Sequence, residues 1–366
     1  MMRTSPDTPA MASERPSQIP RRTFLRRSAI GVIGAGLATA LAPRRVDAQA
    51  PGKPRLAMVK HAGATDDRGT GHPDVAKQMV DRAIRELTGK DALGDAWREF
   101  VAPDDVVGIK INTRGGKFLS TQPCVIDAIT AGLMAAGVKA NNIIVWDVWT
   151  RELVAAGYTL NVSDQGVRCY ATDRGTYTGG DELNQNTVKD MLKPFYSATP
   201  VPLADKEVYF TKILADDVTA VINAPLIKDH SITGVTCSMK NHYGSIMNPA
   251  DLHGGLCDPY IAALNAAGPI KDKTRLILVD GLRGLYNGGP HDRPQWRWTP
   301  NAIIAATDPV AVDALALAIL EEKRKEKGMA SVARRAKCLA TAAEMGLGTN
   351  DLAQVDLREI DLSAAG

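Results

Sequence analysis

Apolar residues in this chain fall into short runs separated by longer amphipathic segments. Val107, Ile109 and Ile111 alternate with small or polar residues, as in a β-strand. Similar apolar runs predict strands over residues 56–61, 142–148, 218–227, 274–281 and 301–307. Helices are predicted over residues 123–136 and 310–327. This alternation predicts an α/β fold with a mostly parallel central sheet flanked by helices.

Two segments interrupt this pattern. Residues 157–205 are rich in Gly, Thr, Asn and Asp and predict an irregular insertion with short antiparallel structure. Residues 283–300 are rich in Gly, Pro and Trp and predict a loop that forms a lid or ligand wall. No low-complexity linker divides residues 51–366, so we expect either one large α/β domain or two lobes.

The first 50 residues predict a leader rather than part of the fold. Arg21 and Arg22 are followed by Phe-Leu and a further basic residue, as in a twin-arginine signal peptide. The apolar segment over residues 28–42 is shorter than the ~20 residues that a membrane span needs. We therefore expect cleavage after Ala48, export by the twin-arginine machinery to the periplasm or another exported location, and no membrane span in the mature chain.

The leader also accounts for the basic charge of the chain. The whole chain has 44 Lys and Arg against 41 Asp and Glu, and residues 1–50 hold 8 and 3 of these. Residues 51–366 therefore carry 36 basic and 38 acidic residues, a net charge of −2. With 5% aromatic residues and no basic stripe, the sequence predicts no nucleic-acid partner.

Polar and charged residues follow the apolar run at 218–227 abruptly. Lys228 and His230 are expected at the carboxyl end of that strand, where open α/β sheets bind their ligands. A helix predicted over residues 236–243 would turn Lys240 back toward the same strand end. The alternative is that the lysines are solvated and the histidine is a hydrogen-bonded loop residue.

These positions define a candidate pocket for a small anionic molecule. Clustered lysines favour an anionic ligand, and a histidine among them can transfer protons near neutral pH. Asp280 and Asp313 are candidate counter-charges or proton carriers. The candidate catalytic residues are Lys228, His230, Lys240 and Asp280, and the candidate substrate-binding residues are Lys110, Asn112, Asn241, His242 and Asp313.

Metal binding is a further alternative. The candidate ligands are His230, His242 and His253, but their spacing matches no zinc template. They are equally consistent with hydrogen-bonded structural histidines, so the identity of any cofactor stays open at this point.

Several short motifs together resemble the family called domain of unknown function 362, or DUF362. The motifs are GIKIN at 108–112, KDH at 228–230, TGVT at 233–236, KN at 240–241, VDG at 279–281, GGP at 288–290 and DPVAVD at 308–313. The resemblance implies an α/β domain, and some relatives carry ferredoxin-type cysteine clusters. The five cysteines of this chain contain no C-x-x-C pair, so a conventional iron–sulfur cluster is not expected.

Two functions are consistent with these observations. The first is an exported enzyme whose Lys/His pocket acts on a small anionic substrate, or holds an anionic or metal cofactor. The second is a non-catalytic periplasmic protein that binds a small anion or a partner. The second function needs the lysines but no group that transfers protons.

Overall fold

The computed structural model describes residues 52–176 and 190–365, which all belong to the same structural unit. The leader, with Arg21 and Arg22, lies outside the described residues, as does the middle of the predicted irregular segment. In the part that is described, no helix is long and apolar enough to cross a membrane.

The strands and helices alternate along most of the chain. The strands are β1 (Arg55–Lys60), β2 (Val107–Lys110), β3 (Ile143–Trp146), β4 (Arg168–Cys169), β5 (Val201–Leu203), β6 (Lys206–Val208), β7 (Ala220–Asn223), β8 (Leu226–His230), β9 (Gly234–Thr236), β10 (Thr274–Leu285), β11 (Arg297–Trp298), β12 (Ala302–Ala306) and β13 (Asp356–Asp361). The helices are α1 (Pro73–Thr88), α2 (Leu93–Arg98), α3 (Pro123–Ala135), α4 (Thr150–Ala155), α5 (Ser238–Asn241), α6 (Tyr260–Ala266), α7 (Gly268–Lys271), α8 (Pro309–Glu326) and α9 (Lys337–Glu344).

A mostly parallel sheet forms the centre of the molecule. Its strand order is β13-β1-β12-β10-β7-β2-β3-β4. β12 runs antiparallel to both of its neighbours, whereas the other adjacent pairs are parallel. This confirms the predicted α/β fold, and the carboxyl ends of β7, β2 and β3 lie along the same edge of the sheet.

Helices α1 and α3 cover one face of this sheet. α1 begins at Pro73 and buries an apolar stripe at helical spacing that includes Ala76, Met79 and Val80. The indole of Trp97 packs against α3 at Gly132, where a Cβ atom would overlap the indole ring. Gly132 therefore permits the close approach of α2 to α3.

Residues 218–244 differ from the prediction in two ways. The apolar run forms two strands, because the chain breaks the ladder at Pro225, which has no N–H to donate. β7 pairs with the first half of β10 and β8 with its second half. The helix predicted over 236–243 begins later than expected: β9 pairs with β8 in a hairpin, and the chain becomes helical at α5, which is followed by the 3₁₀ turn His242–Ser245.

The predicted irregular segment is confirmed in its described parts. β4 contributes only two residues to the edge of the sheet, and β5 and β6 form a separate two-stranded hairpin. The loop predicted over 283–300 is shorter than expected, because β10 continues to Leu285 and pairs with β11. α8 begins at Pro309, one residue before the predicted start, and the carboxylate of the N-cap residue Asp308 accepts hydrogen bonds from the backbone N–H groups of Val310 and Ala311.

Candidate functional site

A cavity of about 510 Å³ lies at the carboxyl ends of β2 and β3, beside β8 and α5. This is the edge of a parallel sheet at which α/β proteins bind ligands. Its charged and amide-bearing walls are formed by Lys110, Asn112, Arg114, Asp147, Arg151, Glu152, Lys228, Lys240 and Asn241, with His230, His253 and His291. The structure thus brings together Lys110, Asn112, Lys228, His230, Lys240 and Asn241 from the predicted set.

A buried ion pair closes the floor of the cavity. The ammonium of Lys110 lies 2.8 Å from Oδ1 of Asp147, and both side chains are almost completely buried. Oδ2 of Asp147 accepts hydrogen bonds from the backbone N–H and the hydroxyl of Thr113. The charge of Lys110 is therefore already neutralised within the protein, so this lysine positions the site rather than binding an anion.

A chain of amide groups links this ion pair to Lys228. The carbonyl oxygen of the Asn241 side chain accepts from Nδ2 of Asn112 at 3.1 Å and lies 3.5 Å from Nζ of Lys110. Oδ1 of Asn112 in turn accepts from Nζ of Lys228 at 3.0 Å. Nδ2 of Asn241 donates to Oδ1 of Asn223. The two asparagines thus fix the direction of Lys228 without neutralising its charge.

Lys240 has a different environment on the other side of the cavity. Its Nζ lies 3.3 Å from Nε2 of His253 and 3.6 Å from the centre of the Tyr243 ring. The Sγ of Cys257 is 3.8 Å away. An aromatic face attracts a cation, and the imidazole offers a hydrogen-bond partner, but neither carries a negative charge.

Lys228 and Lys240 have lowered pKa values. Burial lowers the pKa of Lys228 from 10.5 to about 8, against the opposing effect of the Asp147 and Glu152 carboxylates. Burial likewise lowers the pKa of Lys240 to about 8. Among the described residues, neither ammonium forms an ion pair with a carboxylate. Each lysine is therefore a buried cation without an anionic partner in the described protein.

His230 is a neutral hydrogen-bonding group rather than a proton carrier. Its Nδ1 accepts from the backbone N–H groups of Ile232 and Thr233, so in the neutral ring the proton is on Nε2. Burial and the neighbouring Lys240 lower its pKa from 6.5 to about 3. This low pKa opposes the expected proton transfer by His230 near neutral pH, because ionising the ring would add a charge to an already cationic cavity.

Three predicted site residues lie outside the cavity walls. Asp280 accepts hydrogen bonds from the backbone N–H groups of Gln122 and Leu282, next to the start of α3. Asp313 accepts from the N–H groups of Ser238 and Met239 and so holds the start of α5. His242 is buried beside Ser245. The sequence placed Asp280 at a strand end and His242 and Asp313 in predicted helices, but the side chains of all three are used in packing and capping.

The three candidate metal ligands do not converge. His230 and His253 stack with ring centroids 6.0 Å apart, whereas His242 lies outside the cavity. No group of three or more His, Cys, Asp or Glu side chains suited to a metal ion is found within residues 52–176 and 190–365. All five cysteines fall in these ranges and are free thiols.

Several important cavity residues carry no clear signal in the sequence. Asp147 was placed inside a predicted strand, although it follows the last residue of β3 and so lies at the ligand-binding edge. His253 was considered only as a metal ligand, and its contact with Lys240 depends on a loop between α5 and α6. Arg114 and Glu152 form an ion pair of 2.7 Å at the rim, for which no sequence signal exists.

The cavity has the charge of an anion-binding site. Among the described residues, Lys110, Arg114, Arg151, Lys228 and Lys240 line it together with two carboxylates, Asp147 and Glu152. Subtracting the two acids from the five bases leaves a formal excess of three positive charges. The arrangement can hold a small carboxylate or phosphate, with neutral donors such as Nε2–H of His230 nearby.

Comparison with known proteins identifies the family of this chain. No curated protein matches it. A solved structure of a Thermotoga maritima protein, from the Northeast Structural Genomics Consortium, has 12% sequence identity and a TM-score of 0.31, covering 72% of this chain and 59% of the other. The sequence model of the family described as "Domain of unknown function (DUF362)" matches residues 107–318, which include every strand end that forms the cavity. Because this match spans more than half of the protein, the chain belongs to the DUF362 family.

Proposed function

We propose that the protein is an enzyme that binds a small anionic substrate in the cavity, with Lys228 and Lys240 as the groups that hold its negative charge. One observation carries this proposal. Two buried ammonium groups line the same cavity, and neither is paired with a carboxylate among the described residues. Burying a charge without an opposite charge costs free energy, and a bound anion would remove that cost.

The surrounding hydrogen bonds support binding rather than accidental burial. Asn112 holds Lys228 through a neutral oxygen, and Asn112 is itself held by Asn241. Lys110 and Asp147 stabilise the base of this chain of contacts. Such a supporting network keeps a charged group in a fixed direction before the ligand arrives, which lowers the cost of ordering it on binding.

Catalysis is favoured over simple binding by the contact between Lys240 and His253. A binding protein needs two cations but no basic nitrogen beside one of them. Nε2 of His253 lies 3.3 Å from the Lys240 ammonium, so the pair can exchange a proton during a reaction. An anionic cofactor would satisfy the same charges and is included in the proposed ligand class.

We expect small anions to raise the thermal stability of the purified protein. A ligand that binds only the folded state at a hundredfold excess over its dissociation constant adds about 2.7 kcal/mol to the free energy of unfolding. Lys240→Met should remove most of this gain while keeping α5, because methionine is a helix former of similar length. The measurement is a thermal shift with phosphate, sulfate and small carboxylates at fixed ionic strength.

Lys325→Met is the matched control for this experiment. Lys325 is exposed on α8, far along the chain from every cavity residue, and it should respond to anions as the wild type does. If no anion stabilises the wild type, or if both variants respond alike, the proposed anion site is wrong. Stabilisation by an anion that the protein never converts would favour the non-catalytic binding protein instead.

Export is a separate part of the proposal. Arg21 and Arg22 before a short, weakly apolar segment support transport of the folded protein by the twin-arginine machinery. Replacing both arginines by lysine is expected to retain the protein in the cytosol, as measured by fractionation and immunoblotting. An unchanged periplasmic amount of the double variant would contradict this assignment.

A further inference from the structure

Lys228 and Lys240, the two cavity lysines outside the Lys110–Asp147 ion pair, differ in the group that each one contacts. Lys228 donates to the amide oxygen of Asn112, which cannot take up a proton. Lys240 contacts a ring nitrogen of His253, and this nitrogen can take up a proton. The difference suggests a division of roles, with one lysine holding charge and the other able to become a neutral amine.

The tautomer of His253 follows from its second hydrogen bond. Nδ1 lies 2.8 Å from the backbone carbonyl oxygen of Pro249. A carbonyl oxygen only accepts, so Nδ1 carries the proton and Nε2 presents its lone pair to Nζ of Lys240. The ring is therefore oriented to accept a proton from the lysine.

We propose that Lys240 is a nucleophile that forms an imine with the aldehyde or ketone group of a small carboxylate, such as a 2-oxo acid. This inference rests on the proposed function, because it assumes that Lys228 holds the carboxylate of the same ligand. A lysine in a dehydrated pocket next to other cations is the setting in which amine nucleophiles are activated. The lowered pKa of Lys240, about 8, is consistent with this role.

Imine formation needs no groups other than Lys240, His253 and the substrate carbonyl. Nε2 of His253 takes a proton from the Lys240 ammonium, and the free amine forms a C–N bond with the carbonyl carbon while the C=O electron pair moves to oxygen. The nitrogen then loses a second proton, both protons pass to the oxygen, and water leaves. The product is a protonated imine with the same single positive charge as the original ammonium.

The Tyr243 ring is placed to hold that product. Its centre lies 3.6 Å from Nζ of Lys240, so its face contacts the nitrogen both before and after the reaction. Because the imine is also a cation, the aromatic face attracts it as it attracts the ammonium. The cavity of about 510 Å³ has room for a substrate larger than the simplest 2-oxo acids.

The test is reductive trapping with pyruvate or glyoxylate and cyanoborohydride, followed by peptide mass mapping. We expect a reduced adduct on Lys240 in the wild type and in Lys325→Met, and a loss of at least about tenfold in Lys240→Met. His253→Gln, which keeps a polar group but lacks a base, should slow adduct formation by about a hundredfold. Lys228→Met should still form the adduct but need more pyruvate.

Lactate separates failure of this inference from failure of the proposed function. It carries the same carboxylate as pyruvate but a hydroxyl in place of the carbonyl, so it can bind but cannot form an imine. If lactate stabilises the protein and pyruvate leaves no adduct, the imine is wrong and anion binding stands. An adduct that maps to other lysines, or persists undiminished in Lys240→Met, also overturns it. If neither compound stabilises the protein or leaves an adduct, both proposals fail for this substrate class.

Discussion

Replacing Asp147 by alanine is expected to lower the free energy of unfolding by about 3–5 kcal/mol, because it leaves the buried Lys110 ammonium without its counter-charge. The side chain of Lys110 is 1% exposed and that of Asp147 is 7% exposed. A neutral water at this site would not supply the negative charge that the carboxylate provides. The same substitution also removes the acceptor of the Thr113 N–H, which is a further buried group left unpaired.

Two further variants make this prediction specific. Lys110→Met combined with Asp147→Ala should recover part of the loss, since the double variant buries no unpaired charge. Asp95→Ala breaks the pair between Asp95 and Arg98, which are both at least half exposed, and should cost less than about 1 kcal/mol. Urea denaturation of the four proteins is the measurement. A cost at Asp147 no larger than at Asp95 would show that the buried pair does not support the cavity.

The sequence predicted those parts of the fold that depend on local pattern. Alternating Val107, Ile109 and Ile111 indicated β2, and the proline at position 123 with the glycine at position 137 bounded α3 closely. These elements follow from burial on one or two faces and from backbone preferences of Pro and Gly. The mostly parallel sheet then follows from their alternation along the chain.

The local structure after His230 could not be predicted in the same way. Residues 234–236 were expected near the start of a helix but pair with β8, with Thr236 directly opposite Lys228. Gly234 has a positive φ of 75°, which turns the chain tightly between the two strands. β8 also pairs with β10, which is distant in the sequence. No local sequence pattern therefore indicates that β9 pairs with β8.

The sequence predicted where the candidate site lies but not the hydrogen bonds that connect its residues. Lys228 and Lys240 do line one cavity, with Lys228 placed by β8 and Lys240 by the short helix α5. Asp313 was expected in the pocket, yet its carboxylate faces the backbone of α5. Charge and hydrophobicity show that a group must have a partner, whereas the identity of the partner depends on tertiary contacts.

A site that holds uncompensated cations should reduce the stability of the free protein. At neutral pH the folded state must keep the Lys228 ammonium out of water, and its partner among residues 52–176 and 190–365 is a neutral amide oxygen. The unfolded chain hydrates the same group fully. We therefore expect the binding residues to be stability liabilities, in contrast to Asp147, whose removal is destabilising.

Lys228→Met is accordingly expected to raise the free energy of unfolding of the anion-free protein at pH 7. The pKa of Lys228 falls from 10.5 to about 8 on folding, so its ammonium costs roughly 3 kcal/mol below pH 8. Methionine has a similar length and no charge. The loss of a donor to Asn112 costs about 1 kcal/mol, which leaves a net gain of about 2 kcal/mol.

The stability difference between Lys228→Met and the wild type should depend on pH. The unfolded chain binds the lysine proton more tightly than the folded protein, so wild-type stability rises as the pH rises from about 8 to 10.5. The advantage of Lys228→Met should therefore be full below pH 8 and shrink toward pH 10.5.

Urea denaturation of exhaustively dialysed wild type, Lys228→Met and Lys325→Met at pH 7 and pH 10 measures this advantage. If Lys228→Met is less stable than the wild type at pH 7 while Lys325→Met is unchanged, Lys228 is a structural residue that already has its partner, and the anion site loses its main support.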